Sequence, residues 1–166
     1  KCAVYLYIPQ DFRASNIKIS STSGDILADY LYSLDSIDID STSGDIKISK
    51  CFCEFLKIHT ISGNHHLEKV SSEYFLINST SGDINFELSS SICAKSYIQN
   101  TSGDIKITYP KTLNIDFSLD TVSGNIQIDS QQIKNAPFTN YEYSIGDQGA
   151  SLDCKTTSGD IKLSSI

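Results

Sequence analysis

Apolar and polar residues alternate with a period of two along most of the chain. Ile17-Lys18-Ile19, Ile37-Asp38-Ile39, Ile46-Lys47-Ile48, Ile105-Lys106-Ile107 and Ile126-Gln127-Ile128 are clear runs. Such alternation marks strands with one buried and one wet face, and β-branched residues suit them. No stretch of ten residues carries an apolar period of 3.6, which predicts little or no helix.

The alternation is punctuated by a recurring hexapeptide, STSGDI in its commonest form. Its copies start at Ser21, Ser41, Thr60, Ser79, Asn100, Thr121 and Thr156, with glycines at 24, 44, 63, 82, 103, 124 and 159. Successive glycines lie 20, 19, 19, 21, 21 and 35 residues apart. A period near 20 is too short for helical-hairpin repeats and suits a coil of strands and turns. Aligned on the glycine, the second residue after it is Ile26, Ile46, His65, Ile84, Ile105, Ile126 or Ile161, and the fourth is equally apolar. Upstream, the fifth residue back (Ile19, Ile39, Ile58, Ile77, Ile98, Leu119, Cys154) and the seventh back (Ile17, Ile37, Leu56, Phe75, Ser96, Phe117, Leu152) face the same core. The expected fold is all-β: one domain over residues 1–166, a β-solenoid of about seven rungs of roughly 20 residues, with parallel stacked strands and capped ends. Residues 130–152 read as an insertion or capping loop before the last rung.

The corner is set by Gly24-Asp25, Gly44-Asp45, Gly63-Asn64, Gly82-Asp83, Gly103-Asp104, Gly124-Asn125 and Gly159-Asp160. Glycine meets the need for positive φ or close backbone approach, and Asp or Asn bonds nearby N–H groups in turns. Asn replaces Asp twice, so the column is read as a corner former. Weak calcium binding by stacked carboxylates such as Asp83 and Asp104 is kept beside that reading. The serine before each glycine recurs in every copy, and such equivalent serines lack the unique base and oxyanion hole of a nucleophile. The residue before that serine is Thr, Ile61 or Val122, which points to packing of a β-branched shape.

Composition adds limits. A net charge of −7, with 13 basic residues scattered along the chain, argues against nucleic acid and anionic membrane as partners. Apolar runs are too short for a spanning helix. A start at Lys1 without an initiator methionine predicts a mature form or fragment whose signal or anchor lies elsewhere. Five cysteines (Cys2, Cys51, Cys53, Cys93, Cys154) are an odd number without a scaffold spacing, and Cys51-x-Cys53 is at most half a zinc site. The irregular third copy gathers His59, His65 and His66, and His59 and His66 with Asp83 and Asp104 are the candidate metal ligands. Tyr5 and Tyr7 at the start, and Tyr141 and Tyr143 in the insertion, are candidate binding residues at the two caps.

The opening AVYLYIPQDF, the serial TSGDI corners and the closing GDQGASLDCKTTSGDIKL resemble the adhesin-like β-strand-repeat domains, also called Toastrack-like domains, over nearly the whole chain. The resemblance implies a bacterial, extracytoplasmic domain at the cell surface or anchored to the membrane, without an assigned enzymatic activity or cofactor. The expected role is therefore a non-catalytic interaction or scaffold module whose partner is a protein or glycan at the cell surface. Two alternatives are a carbohydrate-active enzyme using paired carboxylates on a β-helix, and an accessory domain in envelope-stress signalling.

Overall fold

The computed structural model describes residues 9, 12–89, 94–129, 131–135, 139–145 and 150–166. Each hexapeptide joins an upstream strand to a downstream one. The first copy contributes β1 (Ala14–Ser21) and β2 (Ile26–Ala28), the second β3 (Leu31–Ser43) and β4 (Ile46–Ile48). In the third, β5 (Cys51–Ser62) leads to β6 (His65–Ser81), which continues as the upstream arm of the fourth copy and is followed by β7 (Ile84–Leu88). The fifth has β8 (Ser96–Ser102) and β9 (Ile105–Tyr109), the sixth β10 (Ile115–Ser123) and β11 (Asn125–Ile128). After β12 (Gln131–Asn135) and β13 (Thr139–Ile145) come β14 (Ala150–Ser158) and β15 (Ile161–Ser165) of the seventh copy. All of these belong to one curled, largely parallel sheet.

Parallel pairing joins equivalent residues of adjacent copies. Ile17 lies opposite Ile37, and Ile37 opposite Leu56. Past the corner, Ile84 lies opposite Ile105, and Ile105 opposite Ile161. The inward columns of both arms enclose one core, in which Ile37, Ile58, Ile77, Ile98, Ile105 and Ile161 are fully buried. Each such aliphatic side chain contributes about 1.5–3 kcal/mol of burial. Phe75 against Phe86, and Tyr109 against Phe117, fill wider parts of this space at 4.7 and 5.2 Å between ring centres.

The order of copies across the sheet departs from their order in the chain. β14 lies between β8 and β10, and β15 between β9 and β11, so the seventh copy sits between the fifth and the sixth. The sixth copy's other edge is covered by β13, antiparallel to β10, and β12, antiparallel to β11. β12 and β13 thus run along the outside of the sixth copy, and the seventh copy lies on its inner side. Equivalent corners make either order chemically acceptable, and only the long final interval supplies the chain to cross over. The opening strand with Tyr5 and Tyr7, the GDQG of residues 146–149, and Cys2 and Cys93 lie outside the described residues.

Because the seventh copy is internal, Ile161→Ala is expected to cost about 2–5 kcal/mol, as Ile105→Ala does, against roughly 1 kcal/mol for half-buried Ile17→Ala. Urea denaturation of the three variants ranks them. A cost at Ile161 close to that at Ile17 would instead indicate a frayed terminal strand.

Candidate functional site

The corner column is the most regular feature of the surface. Six of its glycines have φ between 116° and 147°, a range other residues avoid. Close approach adds a second constraint: a Cβ on Gly103 would collide with the carbonyl oxygen of Gly82 one copy away, whereas one on Gly24, at the start of the column, would meet only Ser21 Oγ at 3.9 Å.

The Asp and Asn side chains bond between copies. Asp45 N–H donates to Asp25 Oδ1 at 3.0 Å, Asn64 N–H to Asp45 Oδ1 at 2.8 Å, and Asp83 N–H to Asn64 Oδ1 at 2.9 Å. The line continues from Asp104 N–H to Asp83 Oδ1 (2.9 Å), Asp160 N–H to Asp104 Oδ1 (2.8 Å) and Asn125 N–H to Asp160 Oδ1 (2.7 Å). It follows the spatial order of the copies. One oxygen of each of these donors' partners is therefore engaged with backbone, and an amide oxygen serves as well as a carboxylate. Beside the column a shallow groove of about 500 Å³ is lined by Asp83, Asn85, Asp104, Lys106, Asp160 and Lys162, among others.

Two details of the hexapeptide differ from expectation. The serines before the glycines are exposed, and so is Ile61, whose relative exposure is 50%, while Val122 is half-buried. Core packing is therefore not what selects the Thr/Ile/Val column. The buried polar position is instead the first residue of the hexapeptide. Ser41, Thr60, Ser79, Asn100, Thr121 and Thr156 are buried there, and most cap corner carbonyls from inside. Asn100 Nδ2 donates to Gly82 O at 2.8 Å, Thr121 Oγ1 to Gly159 O at 3.0 Å and Thr156 Oγ1 to Gly103 O at 3.3 Å. Extending the period of two from the inward seventh and fifth positions would have found this column.

The proposed metal ligands are spread over different elements. His59 on β5 lies opposite Asp40 and Asn78, while His66 on β6 lies opposite Lys47 and Asn85 and contacts Glu68 Oε1 at 2.7 Å. Among the described residues no three His, Cys, Asp or Glu side chains are arranged to hold a metal ion. His65 fills the aliphatic column between Ile46 and Ile84 with no exposure. Thr60 Oγ1–H donates to Ser79 Oγ at 3.1 Å, so His65 Nε2–H donates to Thr60 Oγ1 at 2.8 Å, and Nδ1 has no partner. Burial lowers the His65 pKa to about 4, with Asp45 opposing weakly. Tyr141 and Tyr143 are half-buried on β13, opposite Leu119 and Phe117, where they cover the end of the core.

The exposed aromatics Phe12, Tyr30 and Phe52 lie elsewhere, with half-buried Tyr32 between the last two. Tyr32 stacks on Phe52 with ring centres 5.3 Å apart and planes 4° from parallel, and Tyr30 is 6.4 Å from Tyr32. The Arg13 guanidinium lies 4.8 Å over the Tyr32 ring, and Lys50 Nζ 5.5 Å over that of Tyr30. These residues were not singled out from sequence because the repeat carries no aromatic signal at their positions.

A protein-family model, Toastrack DUF4097, matches residues 4–164. The chain belongs to this family. No curated protein and no solved structure gives a significant match. The match accounts for the all-β repeat of the Toastrack chain, while the family's function is unknown. Among the described residues no helix is long and apolar enough to cross a membrane.

Two predictions follow from this geometry. Asp104→Asn keeps the acceptor and should change stability by less than about 0.5 kcal/mol, whereas Asp104→Ala leaves the Asp160 N–H to water at a cost of about 0.5–1.5 kcal/mol. Millimolar calcium should leave the melting temperature of wild type and Asp104→Asn unchanged; a rise confined to wild type would make the column a cation site. The second concerns His65. Its folded pKa lies below the ordinary 6.5, so the stability of the neutral form is complete above pH 6.5, declines as pH falls towards 4, and is lost below that. The loss should reach about 3 kcal/mol. In His65→Ile this component should vanish, which urea titrations between pH 7 and pH 4 would show.

Proposed function

We propose that this Toastrack chain is a non-catalytic interaction module of a bacterial envelope protein, exposed outside the cytoplasmic membrane, and that its copies wind as the seven rungs of a solenoid. The in-register pairing of equivalent residues supports that winding. The functional reading rests on one observation. Of the seven large hydrophobic residues exposed among the described residues, Phe12, Leu27, Tyr30, Leu34, Phe52 and Ile61 fall in the first three copies, and the seventh is Ile166. Scattered apolar residues need no explanation, but within these copies Tyr30, Tyr32 and Phe52 stack side by side, and such an aromatic cluster on an otherwise polar surface marks an interface.

The partner we assign is a protein with acidic groups at its rim. Arg13 and Lys50 place positive charge over Tyr32 and Tyr30, which suits such a partner and blocks ring faces that a sugar would need for stacking. An accessory role in envelope-stress signalling would use the same face. The carbohydrate-active alternative has less support, because Asp83 and Asp104 each commit an oxygen to the corner ladder.

A photo-crosslinking residue at position 52, compared with one at Gln127 in the sixth copy, tests this in the producing cell. The expected result is a discrete protein adduct at position 52 that is absent at 127. Equal adducts at both positions, or none at 52 together with capture of a glycan on an array, would overturn the assignment.

A further inference from the structure

The inner face of β5 carries two cysteines that the corner chemistry does not use. Cys51 and Cys53 are 1% and 4% exposed, are free thiols, and hold their sulfurs 4.0 Å apart. Cys51 lies between Leu31 and Val70 in the ladder, and Cys53 Sγ is 3.7 Å from Ser72 Oγ. On the β3 side the pairing passes from Tyr32–Phe52 to Ser36–Phe55, so the ladder skips Cys53 and Glu54 at a bulge. Bulges of this kind re-aim side chains and recur beside functional sites.

Strand geometry decides what the pair can do. Residues two apart in a strand have Cα atoms about 6.6 Å apart and nearly parallel side chains. A disulfide needs Cβ atoms about 3.5–4.5 Å apart, so closing one here would buckle a strand paired on both sides. One ion can bridge the same sulfurs without that distortion: metal–sulfur bonds of about 2.3 Å span a 4.0 Å separation at an angle of about 120°, and a small outward movement of the thiols straightens it. The donor number selects the ion. Zinc in a structural site takes four ligands, and no third His, Cys, Asp or Glu joins the pair among the described residues. Two thiolates with no carboxylate suit a soft monovalent cation that accepts low coordination.

We propose that Cys51 and Cys53 form a two-thiolate site for Cu(I). On binding, two S–H bonds break, two S–Cu bonds form and two protons leave, with no change in the oxidation state of copper or sulfur. The site then carries one negative charge beside Ser72, whose hydroxyl proton, now donated to the Tyr74 carbonyl, turns toward the Cys53 sulfur.

The test is an anaerobic Cu(I) titration against a chromogenic chelator, with proton release followed by a pH indicator. A variant with Cys2, Cys93 and Cys154 replaced by serine should bind one equivalent and release two protons, and adding Cys51→Ser should abolish both. Should the triple variant not fold, Cys51→Ser/Cys53→Ser in the otherwise native chain should bind one equivalent less than wild type. Retention of that equivalent, or no competition by the protein bearing only the pair, would overturn the site. Zinc at the same concentration should shift neither the melting temperature nor the indicator.

Discussion

The close stacking of glycine corners is the contact on which the other features depend. The backbones approach until one copy's glycine carbonyl occupies the space that a Cβ on the next would need. That distance lets Gly63 N–H reach Ser81 O and Gly103 N–H reach Ser158 O, and aligns each Asp or Asn with the following backbone amide. It also fixes the register of both arms, because a slip of one residue would turn every inward Ile to solvent. A carboxylate is not required for this: Asn64 passes the ladder on to Asp83 as Asp83 does to Asp104. The column's acidity is therefore a property of the surface, and its geometry a property of the fold.

Purely parallel sheets are usually covered on both faces, yet here the outer face is wet. The curl explains how. Both arms of each copy send their inward residues into one core, so the sheet covers itself on one side and leaves rows such as Lys18–Asp38–Lys57 in water. Those ion pairs at 3.6–3.7 Å centre on the half-buried Asp38, remain partly open to solvent and add little stability; their alternating signs keep like charges from lying opposite each other. Most polar groups inside have partners, although Tyr109 Oη and Asn100 Oδ1 have none. The hexapeptide's first residue caps corner carbonyls, and His65 is held by Thr60 at the cost of an unpaired Nδ1.

The inward columns and the corner glycines were readable because internal repetition offers seven aligned examples of one environment. Position within the sheet was not readable in the same way. Corners of the fifth, sixth and seventh copies are interchangeable, so sequence similarity cannot say that Gly159 stacks between Gly103 and Gly124. The aromatic face was missed for the opposite reason. Tyr30, Tyr32 and Phe52 lie outside the hexapeptide, and only the folded register brings the last two into stacking contact.

The internal seventh copy bears on how the sheet ends. A terminal parallel strand presents unpaired N–H and C=O groups, which invite further chains. Here the chain covers the sixth copy's outer edge with antiparallel β12 and β13, while β14 and β15 lie inside the sheet between the fifth and sixth copies. Antiparallel cover breaks the repeat at the edge, because another parallel corner cannot stack on a strand running the other way. Tyr141 and Tyr143 on β13 lie opposite Leu119 and Phe117 and pack against the core there. β12 and β13 thus set antiparallel strands along an edge on which the corner alone would allow another parallel copy.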